Sequence, residues 1–250
     1  RQSLEFFAPK GSLFRKFLVR FYNSCRKGTI KSLLHFLFNG HLIRSIKLQL
    51  FFTNNGPKYL QLGGGKHMKK GIHWLNGDII EGDIYLDASK RLPFQDSSID
   101  FIFTEQFFEH LSQADGQFFL SEAYRVLKKG GILRQSTPDL DGIVKLYNNN
   151  NDYAKLDDVL MRHIYHHRRS DDFIFHNGCQ FVNDIFRLWG HKFIYDSASY
   201  KLAMYGAGFS EIRQVEFGIP SNQLLPIDLE RHADSEWMKK AFVMIFEAEK

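Results

Sequence analysis

The sequence predicts a doubly wound α/β domain, and three observations predict it. From Lys58 onward, short apolar strands alternate with helical patterns, a grammar that implies parallel pairing with helical crossovers packed on the sheet. A glycine run, Gly63-Gly64-Gly65, follows the first of these strands directly. Acids then stand at the ends of the second and third strands, Asp78 and Asp87. Both fall on the carboxyl edge, where ligands bind in open sheets of this kind.

The elements follow in order. Lys58–Leu62 is a short apolar strand that runs into the glycines, and His73–Asn76 and Ile84–Leu86 are two more, bounded by Gly and Asp. Ile99–Thr104 is the fourth. Ser112 opens a helix as a capping box with Asp115. That helix carries Phe118, Phe119, Ala123, Tyr124 and Leu127, gathers Lys128 and Lys129 at its end and stops at Gly130-Gly131, as cations and glycines at helix ends do. Ile132–Gln135 is the fifth strand. Residues 140–190 read as helical and irregular, rich in His, Asn, Asp and aromatics, and an insertion over 140–195 is placed to cover a site. Asp196 caps a helix over 197–206 that Gly206 and Gly208 end. Glu211–Phe217 and Phe242–Glu249 alternate as the last two strands.

The 250 residues are 44% hydrophobic and 24% charged, with 25 Phe: the composition of a globular chain long enough for one such domain and an extension. The net charge of +5 hides an asymmetry, because residues 1–56 hold ten Lys or Arg against Glu5 alone. Within that arm, residues 12–26 form an amphipathic pattern with Leu13, Phe14, Phe17, Leu18 and Phe21 on one face, and 30–38 and 42–52 continue the apolar theme. The loop Thr53-Asn54-Asn55-Gly56-Pro57 divides a basic extension, 1–56, from the main domain, 57–250. A basic arm on a mildly acidic body points to an anionic partner for the arm alone. Packing on the domain or a homo-oligomer contact ranks first for it, peripheral contact with an anionic membrane second, and nucleic acid is not expected, since no reader module is present. Two distant cysteines, Cys25 and Cys179, fit no disulfide framework and suggest a reducing, cytoplasmic home, peripheral at the membrane if the arm binds there.

Glycines after a first strand let the backbone turn sharply and approach a ligand closely. A dinucleotide fingerprint wants a small residue three positions after Gly65, where Met68 stands, so a nicotinamide-dependent oxidoreductase is a distant alternative. Asp78 suits ribose hydroxyls and Asp87 an adenine amino group, although either acid alone would pass as a turn former.

In order along the chain, the motifs resemble those of the class I S-adenosylmethionine-dependent methyltransferases. Tyr59-Leu60-Gln61-Leu62-Gly63-Gly64-Gly65 resembles the family's first motif. Leu92-Pro93-Phe94-Gln95-Asp96-Ser97-Ser98-Ile99-Asp100 resembles its entry to strand four. Glu109-His110 resembles the turn after that strand. Glu122 with Arg125-Val126-Leu127-Lys128-Lys129-Gly130-Gly131 resembles its helix end. Pro138-Asp139-Leu140, Gly190-His191-Lys192 with Tyr195-Asp196, and Gly206-Ala207-Gly208-Phe209 also have counterparts. The resemblance spans about residues 58–250 and is strongest to predicted methyltransferases associated with bacterial glycan and surface-polysaccharide synthesis.

It implies a Rossmann-like, seven-stranded, mostly parallel sheet with an antiparallel final strand. It also implies transfer of a methyl group from S-adenosylmethionine to an oxygen or nitrogen of a small-molecule or glycan acceptor. The cofactor residues it implies are Gln61, Gly63, Gly64, Gly65, Asp78, Asp87, Ala88, Thr104 and Glu105. Gln61 replaces the usual acid, so it would meet the cofactor's ammonium without charge assistance; this keeps open a catalytically silent, cofactor-binding subunit. The link from Gly65 to the second strand is too short for a full crossover helix. A hydroxyl acceptor benefits from a general base, for which His110, Asp139 and His191 are the candidates. His163 and His167 share the spacing of a metal pair, but no Glu follows His163 as in metalloproteases, and no metal is assigned.

Overall fold

The computed structural model describes residues 41–65, 67–148, 178–220 and 241–250. The amphipathic patterns at 12–26 and 30–38, and the His163–His167 pair, lie outside them. Two compact units divide after Asn55. The first contributes the helix α1, His41–Thr53. No helix among the described residues is long and apolar enough to cross a membrane.

The second unit is built on a seven-stranded sheet of order β3-β2-β1-β4-β5-β7-β6. Its strands are β1 Tyr59–Leu62, β2 Trp74–Asp78, β3 Ile84–Tyr85, β4 Ile99–Glu105, β5 Leu127–Pro138, β6 Glu211–Gln214 and β7 Val243–Glu249. β1 to β5 pair in parallel. β7 runs antiparallel between β5 and β6. β1 lies between β2 and β4, so Leu60, Gln61 and Leu62 are all buried, as expected of a central parallel strand covered on both faces.

Between the strands run α2 Gln113–Val126, α3 Leu140–Asn148, α4 Gly178–Arg187 and α5 Ser197–Ala207, with 3-10 turns at Phe108–His110 and Leu188–Gly190. The two caps read from the sequence form: Ser112 accepts from the Asp115 amide, Asp196 from that of Ser199, and Gly208 closes α5 in the left-handed conformation at φ 108°. Some boundaries differ from expectation: β6 ends at Gln214 rather than Phe217, and the passage from α2 to β5 is shifted. α2 ends at Val126 and β5 starts at Leu127, so Lys128, Lys129 and the glycine pair are strand rather than helix end. The reason is tertiary. Leu127 pairs with Ile99, and Gly130 and Gly131 exchange backbone hydrogen bonds with Lys250.

Among the described residues, several phenylalanines are structural. Phe101 and Phe103 pack with Trp74, Ile132 and Tyr59, while Phe108 meets Phe119, Tyr195 and Tyr200, and Tyr200 meets Phe246. A separate cluster joins α3 and α4 to the sheet through Ile143, Leu146, Phe181, Ile185, Ile194 and Phe242. Arg134 and Glu247, opposite each other in the β5–β7 register, form a buried ion pair.

The β1–β2 link carries no helix among its described residues. A set of amide hydrogen bonds holds it instead. The Lys69 N–H donates to Gln61 Oε1 at 2.7 Å and to Asn76 Oδ1 at 3.0 Å, while Gln61 Nε2 donates to the His67 carbonyl at 3.1 Å. Asn76 Nδ2 donates to the Lys69 carbonyl at 3.0 Å and to Asp83 Oδ2 at 2.7 Å. Two buried amides thus satisfy backbone groups that a helix would have satisfied internally.

Candidate cofactor and acceptor site

The carboxyl ends of β1, β2 and β4 open onto a cavity of about 700 Å³, within the usual range for small-molecule sites. Its floor is the glycine turn. Gly63 and Gly65 hold φ of 66° and 50°, a region where a side chain costs about 1–2 kcal/mol. A Cβ on Gly63 would stand 2.2 Å from Phe107 Cδ2, whereas one on Gly65 would meet nothing. The first glycine is therefore required by packing and backbone, and the second by backbone alone.

Asp78, at the end of β2, organises the turn. Its Oδ2 accepts from the Gly65 N–H at 3.1 Å, and its Oδ1 from the Ile80 and Glu81 amides at 2.7 and 3.2 Å. A carboxylate offers about four lone-pair positions, so Asp78 can fix the turn and still accept from ligand hydroxyls. Asp87 lies beyond β3, with Oδ1 bound by the Ser89 amide and hydroxyl at 3.0 and 2.7 Å. The Ser89 hydroxyl, together with Lys90 and Lys192, holds its carboxyl below the usual aspartate range. It is an ionised acceptor at neutral pH.

Gly63, Gly64, Gly65, Asp78, Asp87, Ala88 and His110 all line this cavity. Gln61, Thr104 and Glu105 do not: each is buried in the sheet. Gln61 braces the link from below. The Thr104 hydroxyl has no hydrogen-bond partner among the described residues, and Glu105 closes β4 opposite Ser136. Asp139 also lies away from the cavity. Its Oδ1 accepts from the Asp141 amide and its carbonyl from that of Ile143, the pattern of a cap on α3, and burial pushes its carboxyl up. His191 is packed against His110, ring centroids 4.9 Å apart, with its Nδ1 on the Ile185 carbonyl.

The rest of the lining was not read from the sequence. Gln106 and Trp189 enter it from positive φ, 47° and 57°, backbone states that cluster at functional sites. Phe107 and Lys192 complete that wall. Beneath it sits Glu109, wholly buried, its Oε2 accepting from Thr137 Oγ1 at 3.1 Å. The Glu109-His110 dipeptide was the signal for this part of the site, although it did not show which of the two would face the ligand.

These features define an α/β domain with a cavity at its carboxyl edge lined by a glycine turn and two acids. Comparison with known proteins adds to this. Residues 65–134 match the family described as "Methyltransferase domain", a stretch that includes Asp78, Asp87 and Glu109-His110. No curated protein matches the chain. Among solved structures, it is similar to an S-adenosylmethionine-dependent methyltransferase from Archaeoglobus fulgidus, at 17% identity over 89% of this chain and 100% of that one, TM-score 0.46. It is also similar to one from Mesorhizobium loti, at 14% identity over 81% and 95%, TM-score 0.43. Likeness this remote says nothing about an acceptor. Over residues 65–134 the chain is thus similar to a methyltransferase domain, for which the sequence motifs imply S-adenosylmethionine as cofactor.

The residues present fit that cofactor. The glycine turn leaves room that Cβ atoms would fill, and Asp78 and Asp87 are ionised or hydrogen-bonding acceptors suited to ribose and adenine. The cofactor supplies an already activated methyl group, and the protein supplies position and exclusion of water.

Proposed function

We propose that the protein methylates an oxygen or nitrogen of a small polar acceptor, of the size of a sugar or a glycan terminus, bound against Phe107, His110, Trp189 and Lys192. The observation that carries this reading is the wall those side chains form beside the glycine turn, inside one cavity. Of the three base candidates, His110 alone lines it, so His110 is the group that meets the acceptor's polar atom. Trp189 offers a flat apolar face of the kind that packs on a sugar ring, and Lys192 a cation for an anionic substituent. Asp78, Asp87 and the glycines hold the cofactor. The basic segment 1–56 is proposed to pack on the domain or on a second copy, with membrane contact the alternative, in keeping with a cytoplasmic enzyme.

Calorimetric titration with S-adenosylmethionine, S-adenosylhomocysteine and NAD tests the cofactor half. The first two should bind and NAD should not, and Asp87→Ala should weaken the binding at least about tenfold, the value of a hydrogen bond to a charged group. A panel of sugars and amines assayed for S-adenosylhomocysteine release tests the acceptor half. Release with no member of the panel, despite tight cofactor binding, would favour a silent subunit.

A further inference from the structure

We propose that Glu109, His110 and His191 form a divalent-cation site of the zinc type at the acceptor wall of the cavity. One donor atom from each of the three lies within 4.8 Å of the others. His191 Nε2 stands 4.0 Å from Glu109 Oε1. Donors around a tetrahedral zinc at bond lengths of about 2.0–2.1 Å are separated by about 3.3 Å, so each donor needs to move by less than about 1 Å to close on an ion.

The tautomer of His191 is fixed by its surroundings. Its Nδ1 meets the Ile185 carbonyl, which can only accept, so Nδ1 carries the hydrogen. In the neutral ring the Nε2 lone pair is then turned to the carboxylate side, where a cation would be held between the two. The outer contacts are those that metal ligands use. A ligating histidine donates its other N–H to a carbonyl, and a ligating carboxylate is itself hydrogen-bonded. His191 does the first with Ile185, and Glu109 does the second through Thr137. Three protein ligands leave one position for an exogenous group, the pattern of catalytic rather than structural zinc. His110 lines the cavity, so that position lies on the ligand side.

The sequence argues against a metal by motif, because the three ligands come from a 3-10 turn and from a second turn some 80 residues later. Metal binding needs neither cofactor nor acceptor, so it stands or falls apart from the methyl-transfer reading.

The test uses the full chain after chelator treatment. Zinc is titrated by calorimetry, and cobalt is added as a spectroscopic probe. One equivalent of cobalt should give the strong visible absorption of a low-coordinate ion, and zinc should raise the Tm, as any ligand of the native state does. His110→Ala, at a half-exposed position, and Glu109→Gln should each weaken zinc at least about 100-fold, more than losing an outer contact costs, and Thr137→Val should weaken it about tenfold. The His163→Ala/His167→Ala double variant should bind as the parent does. The proposal is overturned if no stoichiometric site exists, or if it survives His110→Ala in a folded protein, or if the double variant abolishes it. Cofactor titration of the same samples separates the two readings, since S-adenosylmethionine binding without metal binding sinks only this one.

Discussion

The two edges of the parallel sheet are built on opposite terms. At the amino edge, charged groups are paired. Arg125 donates to both oxygens of Glu122 at 2.8 and 2.6 Å, to the Phe94 and Leu92 carbonyls at 2.9 and 3.0 Å, and to Asp96 at 2.6 Å. Glu122 also accepts from the Leu92 amide at 2.8 Å, Lys128 pairs with Asp100, and Lys250 reaches the Arg125 carbonyl. At the carboxyl edge stand Gly63, Gly65, Gln106 and Trp189 at positive φ, while the Thr104 hydroxyl and the Gln135 amide lie buried there with no hydrogen-bond partner among the described residues. The only other non-glycine residue at positive φ among those described is Ser97, in the turn before β4. The charge network at the first edge holds the fold; the second keeps capacity for ligands at some cost in stability.

The largest effect should come from breaking the first edge. Arg125→Ala strands a largely buried Glu122 and the ends of the Leu92–Asp96 loop. It should lower unfolding free energy by about 3 kcal/mol, toward the lower end for a broken buried pair, while cofactor affinity in the folded protein stays near that of the parent. Denaturant unfolding and calorimetry at low temperature check both parts. A matching loss of affinity would mean that the edges are coupled.

Breaking the second edge should do the reverse. Gly63→Ala imposes about 1–2 kcal/mol of backbone strain and pushes on Phe107, so S-adenosylmethionine should bind more than tenfold weaker. Circular dichroism should show the sheet retained.

Gln61→Glu sharpens the boundary between the two roles. It restores the acid of the resembled motif, yet here the new oxygen would face the His67 carbonyl. Stability should fall by about 2 kcal/mol, as for an unmatched buried acceptor, with no gain in cofactor affinity. Tighter cofactor binding instead would show that position 61 reaches the ligand.

The smallest effect is a pH dependence. The Arg125 hydrogen bond, then the Leu92 amide, hold Glu122 below its ordinary value of 4.5 despite burial. A depressed carboxyl contributes stability that is complete above the unfolded value and is lost as pH falls through the folded one. Acid unfolding of the parent should therefore steepen below about pH 4.5, and Glu122→Gln should flatten that limb.

Much of this was legible in the chain. The strand positions, the glycine turn, the two acids and both helix caps are local signals, set by turn geometry, side-chain period and short-range hydrogen bonds, and they stand where the pattern put them. Asp139 and Gln61 show where local reading stops. Each has the residue type of a site member at the right place in a motif, but Asp139 is engaged in capping α3, and Gln61 is drawn under the link by Lys69 and His67. Lys128 and Lys129 mark the same limit, since the helix end expected there gave way to sheet pairing of Leu127 with Ile99 and to backbone hydrogen bonds of Gly130 and Gly131 with Lys250. Trp189 gave no signal at all, because a tryptophan before a glycine does not announce a left-handed backbone.

By itself the sequence determined the class of fold and the glycine turn with the two acids beside it, because alternating elements and glycines after a strand have few physical solutions. Only the tertiary structure decided which histidine meets the cavity, which buried acid stands behind it, and that the rings of His110 and His191 touch. Those relations join residues some 80 positions apart, and only packing of the Phe108–His110 turn against the Leu188–Gly190 turn brings them together.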